Sequence, residues 1–374
     1  MKIYPVVTKA DLKKYIHLPS KIHRNHTNWV PPIYSDEWFY YNPLKNGAFS
    51  YSDTLLLIAE KEGEVVGRIM ALINKKYNEK HNIQNARFCF METYDDYDVA
   101  KALLEGVEKW AKDKGMKKIV GPLGFSDKDP QGMLIEGFNE TIVLSTNCNY
   151  PYQVDLLEKT GYTKEQDLVV YKVLVPDTLP DFYMRILERV KRNMNGFRMV
   201  NFSSRSQIKP YVRPVFSLMN ETFKDIYGFN PLGEKEMDEF ADRYLAILDP
   251  RFIKVIENEH GDVIAFILGM PDISEGIQRS KGYLYPIGFL HILRALRKSK
   301  ILSLLLGAIH ENYRNVGLDT WIGASMLEEA KKAGMKQIDS HLELETNHKM
   351  RAEMEKMGGV VYKRYRIFQK SLEC

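Results

Sequence analysis

Cysteine is scarce in this 374-residue chain. Cys89, Cys148 and Cys374 stand far apart with no Cys-x-x-Cys pair, which argues against a disulfide framework or a thiolate zinc site. The N-terminus, MKIYPVVTKADLKKY, has no apolar core of signal-peptide length. The most apolar stretch, Ile301 to Ile309, is far too short to cross a bilayer. The formal charge is only +4, and basic residues are not interleaved with aromatics as in single-strand binders. There is no Walker loop, no GxSxG elbow and no metal-ligand spacing. These absences lead to the expectation of a cytoplasmic protein without metal, nucleic acid or membrane among its partners. Length favours two domains, each large enough for its own core.

What is present is a repeat. Glu62-Gly63-Glu64-Val65-Val66-Gly67 parallels His260-Gly261-Asp262-Val263-Ile264-Ala265. Ala111-Lys112-x-x-Gly115-Met116-Lys117-x-Ile119 parallels Ala330-Lys331-x-x-Gly334-Met335-Lys336-x-Ile338, and Leu157-Glu158-Lys159-Thr160-Gly161 parallels Met354-Glu355-Lys356-Met357-Gly358. Three matches in the same order imply two copies of one α/β unit. Spacing locates the differences. Gly115 to Gly161 is 46 residues and Gly334 to Gly358 is 24, so the first copy carries an insertion, residues 121–140. Gly63 to Gly115 is 52 residues and Gly261 to Gly334 is 73, so the second copy has an extra segment containing residues 283–300. That segment holds a basic cluster, Lys281, Arg294, Arg297, Lys298 and Lys300, around an apolar helix pattern from Tyr285 to Arg297. Pro176 to Pro180 marks a boundary, giving domains 1–177 and 178–374.

The second copy centres on Leu304 to Met335, which reads as a buried strand, a polar loop and an amphipathic helix. Asp319 is expected to cap that helix, Lys331 and Lys332 to sit at its negative end, and Gly334 to end it. A strand feeding a helix through a loop with arginine and glycine suits an anion, because free N–H groups and the helix dipole both face it. Arg314-Asn-Val-Gly317-Leu-Asp319 resembles the Arg/Gln-x-x-Gly-x-Gly/Ala loop with which the GNAT (GCN5-related N-acetyltransferase) superfamily holds the pyrophosphate of acyl-CoA. The terminal Asp319 departs from that pattern. The order strand, helix, hairpin, strand, helix, strand, helix, strand, once per half, also resembles the GNAT fold. GPLGFSDKDPQGMLIEGF and Glu345-x-Asn347-x-x-Met350 with Tyr362-x-x-Tyr365-Arg366 are similar to a family of tandem GNAT-like bacterial proteins.

The resemblance implies an α/β class chain of two mixed-sheet GNAT folds, with acetyl-CoA on the second. It would place Ile309, His310 and Asn312 along the pantetheine. Arg314, Asn315, Gly317, Leu318, Asp319 and Thr320 would meet the pyrophosphate, and Asn347 the thioester arm. An N-cap role serves Asn347 equally well. The tyrosine that many members use as acid is replaced by Met354, and by Leu157 in the first half. Glu311, Glu343 or Glu345 is left as candidate base and Tyr362 or Tyr365 as acid. On a regular strand the two tyrosines would face opposite ways, and Glu343 and Glu345 the same way. In the first half the equivalent loop, Glu92 to Asp98, has four carboxylates and no arginine, which would repel a pyrophosphate. The implied activity is N-acetyl transfer to an amine acceptor. The alternatives are a non-catalytic binding protein of the same fold or an aminoacyl-transferring relative.

Overall fold

Strand β1 (Lys2–Pro5) leads into α1 (Lys9–Ile22). Thr8 opens that helix with a capping box: its hydroxyl accepts the Asp11 N–H at 3.1 Å, and the Asp11 carboxylate accepts the Thr8 N–H at 3.0 Å. After α2 (Tyr34–Tyr40) come β2 (Ser52–Lys61) and β3 (Glu64–Asn74), a hairpin whose two turn residues, Glu62 and Gly63, are both left-handed. Then follow α3 (Lys75–His81), β4 (Asn85–Thr93), α4 (Tyr97–Asp113), β5 (Lys118–Gly121), β6 (Met133–Glu136), α5 (Pro151–Lys159) and β7 (Thr163–Leu174). The computed structural model describes residues 1–373 apart from 144, 179–180, 194–195 and 246, so Pro180 and Cys374 lie outside the described residues.

The second half repeats the plan. A connecting helix, α6 (Asp181–Asn193), precedes β8 (Arg198–Asn201), α7 (Arg205–Ile208), α8 (Val212–Thr222) and α9 (Glu234–Tyr244). The hairpin β9 (Ile253–Glu257) and β10 (Val263–Pro271) is followed by α10 (Ser274–Ser280), α11 (Gly288–Lys298) and β11 (Ile301–Ile309). Last come α12 (Leu318–Lys332), β12 (Gln337–Asp339), β13 (Glu343–Leu344), α13 (His348–Lys356) and β14 (Val360–Ser371). The extra segment read from the spacing is the β10–β11 connection, residues 272–300. Its counterpart between β3 and β4 is residues 75–84. The expected strand Gln337 to Leu344 is broken, because His341 is left-handed with φ 58°. Helices α3 and α10 and strand β6 carry too short a pattern to be read from sequence.

The strands form one continuous mixed sheet in the order β1-β2-β3-β4-β5-β14-β7-β12-β11-β10-β9-β8, with β13 beside β7 and β6 beside β14. In each half a parallel pair holds for three residues and then forks. Pairing of β4 with β5 ends at Arg87 and Val120, and pairing of β11 with β12 ends at Ser303 and Asp339. The halves exchange their last strands. β14 pairs antiparallel with β5, and β7 pairs with β12. Each exchanged strand supplies backbone partners to an edge that would otherwise be open. It also brings side chains: Phe368 of β14 and Leu372 just beyond it lie in the core of the first half, and Val169, Tyr171 and Val173 of β7 in that of the second.

Candidate active site

The fork of the second half is built from β11, β12, β13, α13 and the exchanged β7, with β14 beyond it. Leu302 and Ile338 face the core under α12. By strand alternation their neighbours Ser303 and Asp339 face the other side of the sheet. Asp339 is fully buried. One of its oxygens accepts the His341 N–H at 2.7 Å and the other accepts the Tyr362 hydroxyl. Beside them the Ser303 hydroxyl is buried and has no hydrogen-bond partner among the described residues. Lys363 is 1% exposed and donates to the Thr141 carbonyl at 2.8 Å, and burial pulls its ammonium below the usual range. Asp272, at the end of β10, is pushed up by burial.

Past the kink at His341, Glu343 pairs with Val169 of β7 and so shares the α12–α13 side of the sheet. The residue is half-buried. Burial pushes its carboxyl up to about 8, against a counter-effect from its hydrogen bond with Asn347. Asn347 is the N-cap of α13, where its side chain accepts the Met350 N–H at 3.3 Å. The cap reading and a place beside the fork are therefore compatible.

The other sequence-predicted residues fall in separate places. Glu345 and Glu343 do not share surroundings, because β13 covers only residues 343–344. Glu345 pairs with Lys164 at 2.8 Å and Arg364 at 2.6 Å, and Lys164 holds its carboxyl below the usual range. It is an ionised member of a salt-bridge cluster that also contains Asp167 and Arg366, a poor setting for a base. Tyr362 and Tyr365 do not face opposite ways. Register shifts on either side of residues 363–364 bulge β14 and turn both rings into one apolar cluster. Tyr365 is fully buried there, and the Tyr362 hydroxyl is committed to Asp339 and pushed well up by burial. Glu311 and Asn312 stand exposed in a 3-10 turn, residues 311–313. His310, behind Ile309 at the end of β11, accepts the Asn312 N–H at 3.2 Å and meets Glu221 at 3.2 Å.

The phosphate-loop segment differs from expectation at one residue. Gly317, not Asp319, is the N-cap of α12, with φ 94°, and no side chain caps it. Asp319 lies inside the first turn, where its carboxylate accepts the Thr320 N–H at 2.9 Å. Leu318 is buried beneath. Asn315 is left-handed too, with φ 65°. Arg314 is exposed and donates through Nε to the Ile309 carbonyl at 3.1 Å. A Cβ on Gly317 would come within 2.5 Å of Val190 in α6, so only glycine fits. In the first half the matching helix, α4, is capped by Asp96, whose carboxylate accepts the Val99 N–H at 3.2 Å and pairs with Lys61.

Sequence reasoning missed a second polar cluster. His23, buried at the end of α1, faces Glu92 of β4 at 3.1 Å, and Gln153 donates to the same carboxylate at 3.2 Å. Burial pushes Glu92 up, but His23, Arg68 and Gln153 together hold the carboxyl below the usual range. His23 Nδ1 lies 3.1 Å from His26 Nδ1, and Cys148 Sγ lies 3.7 Å from the latter. The His23 ring stacks between Trp29 and Tyr150, each 5.2 Å away. His23, His26 and Cys148 thus form a group of metal-ligand type that no local spacing announces, because Cys148 is 122 residues from His26.

Residues 20–122 match the model of the acetyltransferase (GNAT) family. The repeated elements and their two forks give the whole chain the fold of tandem GNAT proteins. The tandem GNAT protein from the clavulanic acid biosynthesis pathway superposes over all of this chain and 99% of its own, with a TM-score of 0.56 at 11% identity. A GCN5-related N-acetyltransferase from Sphaerobacter thermophilus gives 0.55 at 11% identity, over 100% of this chain and 96% of its own. Among sequence relatives, the bacterial ceramide synthase of Caulobacter vibrioides is 27% identical over 379 residues, 100% of this chain and 98% of that protein. Protein YghO of Escherichia coli is 27% identical over 98% of this chain and 94% of its own.

Proposed function

We propose that this chain is an N-acyltransferase that carries the acyl group of an acyl-CoA thioester to the amino group of a long-chain amine. The observation that carries the reading is Glu343, a half-buried carboxyl on β13 that pairs with Val169 and is hydrogen-bonded to Asn347; burial pushes it up to about 8, which suits removal of a proton from an attacking amine near neutral pH. The neutral amine attacks the thioester carbonyl; the C–N bond forms and the C–S bond breaks. The ammonium proton passes to the Glu343 carboxylate. The CoA thiolate, of ordinary thiol acidity near ~8.5, leaves without a dedicated acid and takes its proton from water.

In this proposal the half at 178–374 holds the CoA. The uncapped start of α12, the left-handed backbone at Asn315 and Gly317 and the exposed Arg314 fit a pyrophosphate. The half at 1–177 is the copy without CoA, because Asp96 already fills the start of α4. The acceptor class rests on the full-length relative named bacterial ceramide synthase, since a ceramide is the amide of a long-chain amino alcohol. Acetyl-CoA is the shortest donor the same loop would take.

The test is a mass-spectrometric screen of acyl-CoAs from acetyl to palmitoyl against long-chain amines. An amide product that grows with enzyme concentration supports the reading, and no amide from any pair overturns it. Arg314→Ala is expected to weaken CoA binding about tenfold by calorimetry, given the strength of charge-assisted bonds to phosphate. Unchanged affinity would remove Arg314 from that role.

A further inference from the structure

The β10–β11 connection has a face that the rest of the fold does not use. Helices α10 and α11 pack closely, and a Cβ on Gly276 would come within 2.8 Å of Ile292 Cα. Gly288, Ile292 and Ala295 turn inward. The opposite side of α11 and the turn before it present Tyr285, Ile287, Phe289, Leu290 and Leu293 to solvent, with Tyr285 82% and Ile287 61% exposed. These residues sit on a fixed platform. The Tyr34 N–H donates to the Gly282 carbonyl at 3.0 Å, and the Tyr283 ring lies 4.7 Å from Tyr34. The counterpart in the first half, α3, is Lys-Lys-Tyr-Asn-Glu-Lys-His with no comparable apolar face.

Charge decides what covers this face. Residues 281–300 contain Lys281, Arg294, Arg297, Lys298 and Lys300 and no Asp or Glu. At 100° per residue, Phe289, Leu293 and Leu290 span one arc of α11, Arg297 falls within that arc a turn beyond Leu293, and Arg294 and Lys298 continue it on one side, all exposed. An apolar stripe bordered by cations on a helix of about 16 Å is the pattern of a helix lying in a membrane interface. Tyrosines at its start suit the headgroup layer, where an amphipathic ring has one end apolar and one wet. No helix among the described residues is long and apolar enough to cross a membrane, so contact here is with the surface.

We infer that α11 and the turn before it dock this protein on an anionic lipid bilayer, the apolar stripe entering the interface and the flanking arginines and lysines meeting lipid phosphates. The inference stands on exposure and charge and does not require the acyl-transfer reading.

The experiment is sedimentation of the full chain with phosphatidylcholine vesicles, with and without an equal part of phosphatidylglycerol. The protein is expected to partition onto the anionic vesicles and to be released by salt. Arg294→Glu with Arg297→Glu and Lys298→Glu should cut that partition about a hundredfold. Phe289→Ser with Leu293→Ser should cut it at least about tenfold. All five positions are exposed, and melting temperature checks the fold of each variant. Leu290→Trp gives a second reading, a blue-shifted emission on anionic vesicles only. Absence of vesicle binding, binding indifferent to lipid charge, or binding unaffected by these substitutions would overturn the proposal. So would a concentration-dependent dimer that Phe289→Ser dissolves, which would assign the face to a second copy. Vesicle binding needs no turnover, so a failed amide screen leaves this result independent.

Discussion

Glu343→Gln is expected to lower the rate of amide formation about 10²–10⁴-fold, the usual contribution of a positioned general base. Glutamine keeps the shape and a hydrogen bond to Asn347 but cannot take the ammonium proton. The pH profile separates this role from a structural one. A base must be ionised to act, so the wild-type rate should climb with pH and level off above about 8, and the variant should lose that limb. Stability should move in the opposite sense. A carboxyl raised from 4.5 to about 8 holds its proton more tightly folded than unfolded. The stability it contributes is therefore complete below about 4.5 and is lost as pH rises through about 8. Wild type should lose melting temperature relative to Glu343→Gln between about pH 5 and pH 9. A variant with full activity and a flat stability difference would dismiss Glu343 from both roles.

The second large effect lies on β14, in the middle of the sheet. Phe368→Ala removes a fully buried ring that belongs by sequence to the second half and by packing to the first, among Phe88, Leu156 and Tyr162. A cost of about 3–5 kcal/mol is expected from chemical denaturation, the usual range for a buried phenylalanine. Its location is the sharper test. Hydrogen exchange should quicken in β4 and β5, which Phe368 covers across the strand exchange. Faster exchange confined to β11 and β12 would contradict the reciprocal pairing.

Much of this was legible in the chain itself. The three matched segments announced two copies, and the unequal spacings located the β10–β11 connection and the first-half insertion. Both signals are local: a hairpin turn needs its glycine, and an amphipathic helix its stripe, wherever the chain goes next. The phosphate loop was also visible, though not its cap, because Gly317 and Asp319 are both acceptable helix starters and only the folded chain shows the left-handed backbone at Gly317 and the close approach of Val190 in α6 that demand glycine. Tyr362 and Tyr365 failed for a related reason. Alternation assumes a regular strand, and a bulge that depends on two neighbours leaves no mark on the strand that carries it.

What the sequence determined by itself is the repeated unit, its elements and the unequal charge of its two candidate phosphate loops, all set by neighbours within a few residues. Tertiary structure alone decided which strand closes which half, which of two nearby glutamates is ionised, and where His23, Glu92 and Cys148 meet. The reason is physical. Backbone hydrogen bonds between strands do not depend on side-chain identity, so β14 and β7 have no local cue that names their partners. A carboxyl's charge is set by the dielectric and the cations around it. Glu345 meets Lys164 and Arg364 while Glu343 meets Val169 and Asn347 only once the chain has folded.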